Sequence, residues 1–238
     1  MSVNNNKKIL IIEDEQKLVR LLKTNFESVG FEVYSADNAK SGLAAMTLTS
    51  PDLIILDVML PDEDGITLCR KIREISDIPI IILTAKVRES DKLLGFESGA
   101  DDYITKPFSS AELIARVKAV LRRSEGKNNT PKDTELLLGN LRISFARRKV
   151  YKNDQEIKLT PTEFQLLYHL AINHDRVMLH EELLKLVWGP EYQSEVEYLR
   201  AYIWRLRRKI EDDPAHPQII VSNLGIGYSC CTPNLLRS

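Results

Sequence analysis

Three cysteines in 238 residues are too few for a disulfide scaffold, and their placement agrees. Cys69 falls in a helical pattern, while Cys230 and Cys231 are adjacent and badly placed to bridge each other without strain. They read as small buried hydrophobes. The histidines, His169, His174, His180 and His216, lack the Cys/His spacing of a zinc site. No apolar run approaches the roughly 20 residues needed to cross a bilayer. The opening Met-Ser-Val-Asn-Asn-Asn-Lys-Lys leads into an apolar stretch over 9–12 only, too short for a secretory signal, so the expectation is a cytoplasmic protein. Net charge is nearly absent as well, at −1. Basic and acidic side chains balance within each half of the chain, so any nucleic-acid footprint must be local. What is present is a mixed composition, 43% hydrophobic and 28% charged, and length enough for two domains with ordinary cores.

The stretch 53–61, Leu-Ile-Ile-Leu-Asp-Val-Met-Leu-Pro, delivers one carboxylate, Asp57, to the end of an unbroken apolar run bounded by Pro51 and Pro61. That pattern predicts a strand buried on both faces of a parallel sheet, whose ligands sit beyond the strand's carboxyl end. Around it, strand and helix signals alternate. Strands are predicted over 8–12, 31–35, 53–57, 80–84 and 103–105. Helices are predicted after Asp14 (Leu18, Leu21, Leu22, Phe26 and Val29, stopping at Gly30), after a cap at Asn38, and over about 65–74, 89–98 and 110–123. Five β/α repeats with short, right-handed connections give an α/β, doubly wound five-stranded sheet over residues 1–123.

Such a fold gathers Glu13, Asp14, Asp57, Thr84 and Lys106 at one sheet edge. Each alone would read as a solvated loop residue; five at successive strand ends do not. Three clustered carboxylates imply a counter-charge, and hard oxygen donors suit Mg²⁺. The cation would neutralise an incoming phosphoryl group while Asp57 acts as nucleophile, with Thr84 and Lys106 as donors to the aspartyl phosphate.

The motifs Ile-Ile-Glu-Asp-Glu, Leu-Asp-Val-Met-Leu-Pro-Asp-Glu-Asp-Gly, Leu-Thr-Ala-Lys and Asp-Asp-Tyr-Ile-Thr-Lys-Pro-Phe make 8–123 resemble the receiver domain of a two-component response regulator. The resemblance implies that Asp57 accepts phosphate from a sensor histidine kinase, and that Glu13, Asp14, Asp57 and the Met59 carbonyl hold Mg²⁺. It also implies a cis proline at Lys106-Pro107, and a switch in which Thr84 moves toward the phosphate and Tyr103 turns inward. Phosphorylation would then form a homodimer through the helix over 89–98, the strand over 103–105 and the helix over 110–123. Lys92, Glu97, Asp101 and Asp102 would face Glu112, Arg116, Lys118 and Arg122 across a twofold axis.

Residues 124–134 are polar, lack apolar periodicity and read as a linker. The domain over 135–238 has a different grammar: short strands about 136–138, 141–145, 149–151 and 156–159, three helices, then a hairpin around Gly225 and Gly227. Thr160 caps the first helix, with Pro161 at its first position and Glu163 completing a capping box. The second spans about 180–187 and the third 195–210. This is the order of an α+β winged helix-turn-helix. Leu-Thr-Pro-Thr-Glu-Phe-Gln-Leu-Leu, Val-Trp-Gly, Arg-Leu-Arg-Arg-Lys-Ile and Gly-Ile-Gly-Tyr resemble the OmpR/PhoB class, and Leu-Val-Trp-Gly-Pro with Tyr-Leu-Arg is most similar to its KdpE branch, which controls potassium uptake. The implied partners are promoter DNA and RNA polymerase.

The apolar stripe of the third helix, Leu199, Ile203, Leu206 and Ile210, predicts an outward face of Glu197, Ala201, Trp204, Arg205 and Arg208, with Arg200 and Arg207 flanking it near phosphates. Arg205 and Arg208 are the expected base readers. Leu224 and Ser229 stand where relatives often place wing arginines. Two alternatives stay open: an aspartyl-nucleophile phosphatase, which commonly carries a second acid where this chain has Met59, and a receiver whose second domain binds protein.

Overall fold

A computed structural model describes residues 7–85, 98–125, 135–174 and 176–232. The chain divides into two compact units, Met1–Arg122 and Arg123–Ser238.

In the first unit, strands β1 (Lys8–Ile12), β2 (Glu32–Ala36), β3 (Leu53–Asp57), β4 (Ile80–Thr84) and β5 (Asp102–Thr105) form one sheet in the order β2-β1-β3-β4-β5. All pairings are parallel. β3 and β4 are buried at every position, as an interior strand covered on both faces requires. Helices α1 (Gln16–Ser28), α2 (Ala39–Thr49), α3 (Gly65–Ile75) and α4 (Ser110–Glu125) connect or follow the strands. α1 buries Val19, Leu22 and Phe26 and ends where Gly30 takes a φ of +92°. Asn38 caps α2 by accepting from the Ser41 N–H at 2.8 Å. The expected helix over 89–98 lies outside the described residues except for Ser98, which sits in a turn.

In the second unit an antiparallel sheet, β6 (Glu135–Leu138) to β9 (Gln155–Ile157) with β7 (Leu141–Ser144) and β8 (Lys149–Lys152) between, precedes three helices. These are α5 (Pro161–Ile172), α6 (His180–Val187) and α7 (Val196–Ile210). The capping box forms: the Glu163 N–H donates to the Thr160 hydroxyl, and the Thr160 N–H donates to the Glu163 carboxylate at 2.9 Å. The closing hairpin, β11 (Ile220–Asn223) and β12 (Gly227–Cys230), takes on a third strand, β10 (Met178–Leu179), too short to show periodicity. Gly227 is obligatory there, because a Cβ would lie 1.8 Å from the Met178 carbonyl oxygen.

Burial holds the pKa of His169, in the last turn of α5, down to about 4 from 6.5. Its imidazole is therefore neutral in the folded chain, and as pH falls the unfolded chain takes up the proton first. This stabilisation is complete above pH 6.5 and is lost progressively towards pH 4. We expect a loss of about 1–2 kcal/mol between roughly pH 7 and 5. Urea unfolding at the two pH values checks it, with His169→Gln showing a smaller pH dependence.

Candidate functional site

The first candidate site is built at the carboxyl edge of the parallel sheet. Glu13 follows β1 and is 1% exposed, Asp57 ends β3 and is 4% exposed, and Asp14 reaches solvent. One carboxylate oxygen from each lies within 4.8 Å of those of the other two. Lys106, beyond β5, inserts its ammonium among them: Nζ donates to Glu13 Oε2 at 2.7 Å and to Asp57 Oδ2 at 3.0 Å. The Lys106-Pro107 peptide is cis, as the family resemblance implied.

The electrostatics record an excess of negative charge. Burial pushes the Glu13 carboxyl above its ordinary range, and the Asp57 charge adds to the effect although Lys106 opposes it. For Lys106, burial works against the charged form, and the bonds to Glu13 and Asp57 outweigh it, so its pKa is raised. One ammonium against three carboxylates leaves room for a hard divalent cation, and all three offer oxygen donors, so the residues fit Mg²⁺.

Thr84 is fully buried at the end of β4, and its carbonyl accepts from the Lys106 N–H at 2.6 Å. Tyr103 is buried as well, at 7% exposure. Gly65, which opens α3, is required by close approach: a Cβ there would lie 2.0 Å from the Asp57 carbonyl oxygen.

The charges expected on a dimer surface divide. Glu112, Lys118 and Arg122 are exposed, and Lys92 and Glu97 lie outside the described residues. Asp101 and Asp102 are fully buried and bonded within the chain, which corrects their reading as surface charges. Asp101 Oδ2 accepts from Arg73 Nη2 at 2.8 Å and from the Ile80 N–H at 3.1 Å. Asp102 Oδ1 accepts from Arg116 Nη1 at 3.3 Å, and Arg116 Nη2 also holds Glu112 at 2.9 Å. Sequence reasoning defaulted to exposed charges here because the partner Arg73 is remote in the chain.

The second candidate site is the free face of α7. The stripe Leu199, Ile203, Leu206 and Ile210 is buried as expected, but so are Tyr198, Ala201, Tyr202 and Arg205. Tyr198 and Tyr202 pack with Trp188 at ring separations of 5.4 and 5.0 Å, widening the buried arc to one side. The free face is thereby rotated by roughly 60°, at about 100° per residue. It consists of Glu197 paired with Arg200, then Trp204, with the Arg208 guanidinium 4.6 Å above the Trp204 ring.

Ala201 and Arg205 do not face outward. Arg205 Nη2 lies 2.6 Å from Glu163 Oε1, and Lys209 Nζ lies 2.6 Å from Glu163 Oε2. Burial alone would raise the Glu163 pKa, but the charges of Arg205 and Lys209 outweigh it and hold the carboxyl below its ordinary value. Arg207 is also taken up internally: its guanidinium donates to the Ile220 carbonyl at 2.7 Å and to the Ser222 hydroxyl at 2.9 Å, tying α7 to β11. Glu211 receives the N–H groups of Gln218, Ile219 and Ile220, a role that sequence reasoning missed and that no local motif signals. At the hairpin tip Leu224 is 94% exposed, whereas Ser229 is buried and accepts from Asn223 Nδ2 at 3.1 Å.

A five-stranded parallel unit with a carboxylate–lysine pocket, followed by a winged helix-turn-helix, defines a response regulator: a phosphoacceptor domain joined to a DNA-binding effector. Residues 9–118 match the response regulator receiver domain, and residues 154–230 match the C-terminal domain of transcriptional regulatory proteins. The chain is 32% identical to the response regulator DrrB of Thermotoga maritima, an OmpR/PhoB homologue, over 95% of this chain and 99% of that one, with a TM-score of 0.51. A mutant form of RitR is similar at 28% identity, over 94% and 99% of the two chains, with a TM-score of 0.75. The chain belongs to the OmpR/PhoB family of response regulators, the phosphorylation-activated transcriptional regulators of two-component systems. Among the described residues no helix is long and apolar enough to cross a membrane.

Proposed function

We propose that Asp57 is the phosphoacceptor, that Glu13, Asp14, Asp57 and the Met59 carbonyl hold Mg²⁺, and that the phosphorylated chain binds promoter DNA as a dimer through the free face of α7. The observation that carries the first part is the Lys106 ammonium held between Asp57 and Glu13. An oxygen of Asp57 attacks phosphorus as the P–N bond of the kinase's phosphohistidine breaks, and the imidazole leaves. Lys106 stays beside the new acyl phosphate and offsets its charge. Mg²⁺, when bound, supplies the remaining neutralisation of the phosphoryl oxygens. Thr84 and Tyr103 report the modification to the dimer surface, where Glu112, Lys118 and Arg122 are exposed charges of α4 among the described residues. An aspartyl phosphatase would commonly have a second acid at position 59, which is methionine.

The finer placement near the KdpE branch rests on Leu186–Pro190 and Tyr198–Arg200 in sequence. Trp188 and Tyr198 are interior, so these two positions do not touch the operator. RNA polymerase is the proposed downstream partner. Sedimentation and gel-shift titration with and without acetyl phosphate test the proposal. A phosphorylated chain that stays monomeric while its DNA affinity rises would remove the dimer.

On the DNA side Arg208 and Trp204 are the base-facing pair. Arg208→Ala is expected to weaken operator binding by about 1–3 kcal/mol and relax specificity at one base position. Arg200→Ala should weaken all sequences alike and lower the salt slope by about one. Fluorescence anisotropy over an operator panel at several salt concentrations distinguishes the two.

A further inference from the structure

The loop between β3 and α3, residues 58–64, is fixed at its base by backbone bonds. The Val58 N–H donates to Leu83 O at 3.0 Å, the Gly65 N–H donates to Val58 O at 2.8 Å, and Met59 bridges to Asp64. Asp64 caps α3 through the Ile66 N–H at 2.9 Å, so it serves its own helix. Asp62 instead reaches another element: Oδ1 accepts from the Ala39 N–H at 2.8 Å and Oδ2 from the Lys40 N–H at 3.1 Å. Those are donors of the first turn of α2, which have no partner within the helix and whose dipoles favour a carboxylate. The bond from Ala39 accordingly holds the Asp62 carboxyl below its ordinary range. Since Asn38 already caps α2, Asp62 is an additional strut between two elements.

We propose that Asp62 is a positioning residue of the phosphorylation site: by clamping the loop to the start of α2, it holds the Met59 carbonyl ready for the divalent cation. This rests on the Mg²⁺ reading of the pocket. The backbone bonds restrain the loop beside Val58 and Met59 and leave its tip to Asp62. A loop that is free at its tip still has to be ordered when the carbonyl takes up the cation, which weakens binding. Asp62 touches neither the cation nor the phosphoryl group.

The test uses the full-length chain with Asp62→Ala, which loses both bonds, and Asp62→Asn, which keeps one acceptor oxygen. Mg²⁺ alone is titrated by calorimetry without phosphodonor, and labelling by acetyl phosphate is followed as a function of Mg²⁺. Circular dichroism confirms that both variants are folded. We expect the Mg²⁺ dissociation constant to rise about tenfold in Asp62→Ala and less in Asp62→Asn, with labelling at saturating Mg²⁺ within about twofold of the wild type. Equal weakening in the two variants would mark simple loss of charge and overturn the clamp. An unchanged Mg²⁺ constant beside a lowered melting temperature would overturn it too, leaving a helix cap. If the wild-type chain itself binds no Mg²⁺, the cation reading falls and the clamp's role falls with it.

Discussion

Asp57→Ala is expected to reduce labelling by acetyl phosphate in Mg²⁺ to background while leaving the fold intact. The nucleophile is lost, and the buried neighbour Glu13 is tied to Lys106 at 2.7 Å. Stability should be preserved, because the Asp57 charge is one of the influences that raise the Glu13 pKa, and its removal relieves that repulsion. A thermal melt run beside the labelling assay therefore separates lost chemistry from lost structure. Chelating Mg²⁺ from the wild type should suppress labelling as strongly, since the phosphoryl oxygens would then meet three carboxylates with one ammonium between them. Undiminished labelling of the variant at another residue would sink the assignment of Asp57.

Arg205→Ala is expected to act on stability and not on base discrimination. Its partner Glu163 is fully buried, and removing one cation leaves that carboxylate with Lys209 and the Thr160 N–H alone. Breaking a buried pair from one side costs about 3–5 kcal/mol, and the remaining partners place the expected loss near the lower end, at about 3 kcal/mol. That is a large fraction of a typical domain's stability. Both tryptophans, Trp188 and Trp204, lie in the second unit, so their fluorescence during urea unfolding reports on the right domain. Replacing Glu163 as well by an apolar residue removes the orphaned carboxylate but also the acceptor of the Thr160 N–H and the partner of Lys209, so only part of the loss should be recovered. An unchanged urea midpoint, with specificity relaxed at one base position, would return Arg205 to the groove.

The receiver strands were legible because a strand buried on both faces has to be an unbroken apolar run, and β3 and β4 are such runs. The pocket was legible because strand order brings strand ends together, which needs no knowledge of side-chain packing. The face of α7 was only half legible. Tyr198 and Tyr202 count weakly in an apolar stripe, yet their packing on Trp188 turns the helix, and Arg205 is claimed by a carboxylate on α5 that no spacing within α7 reveals. Asp101 and Asp102 went astray similarly: a charged pair in sequence looks solvated until its arginines are placed.

The Glu163 anchorage also limits how far the effector domain is modular. A graft of residues 196–210 from another regulator could change the exposed side chains at 200, 204 and 208 freely, since these touch little of the interior. Positions 205 and 209 are not free in that sense, because Glu163 belongs to α5 and stays behind with the host. A donor segment lacking a cation at 205 would import a new reading surface together with an orphaned carboxylate beneath it. New specificity can therefore be transplanted into this scaffold only by segments that bring a suitable basic residue for the host's own acid.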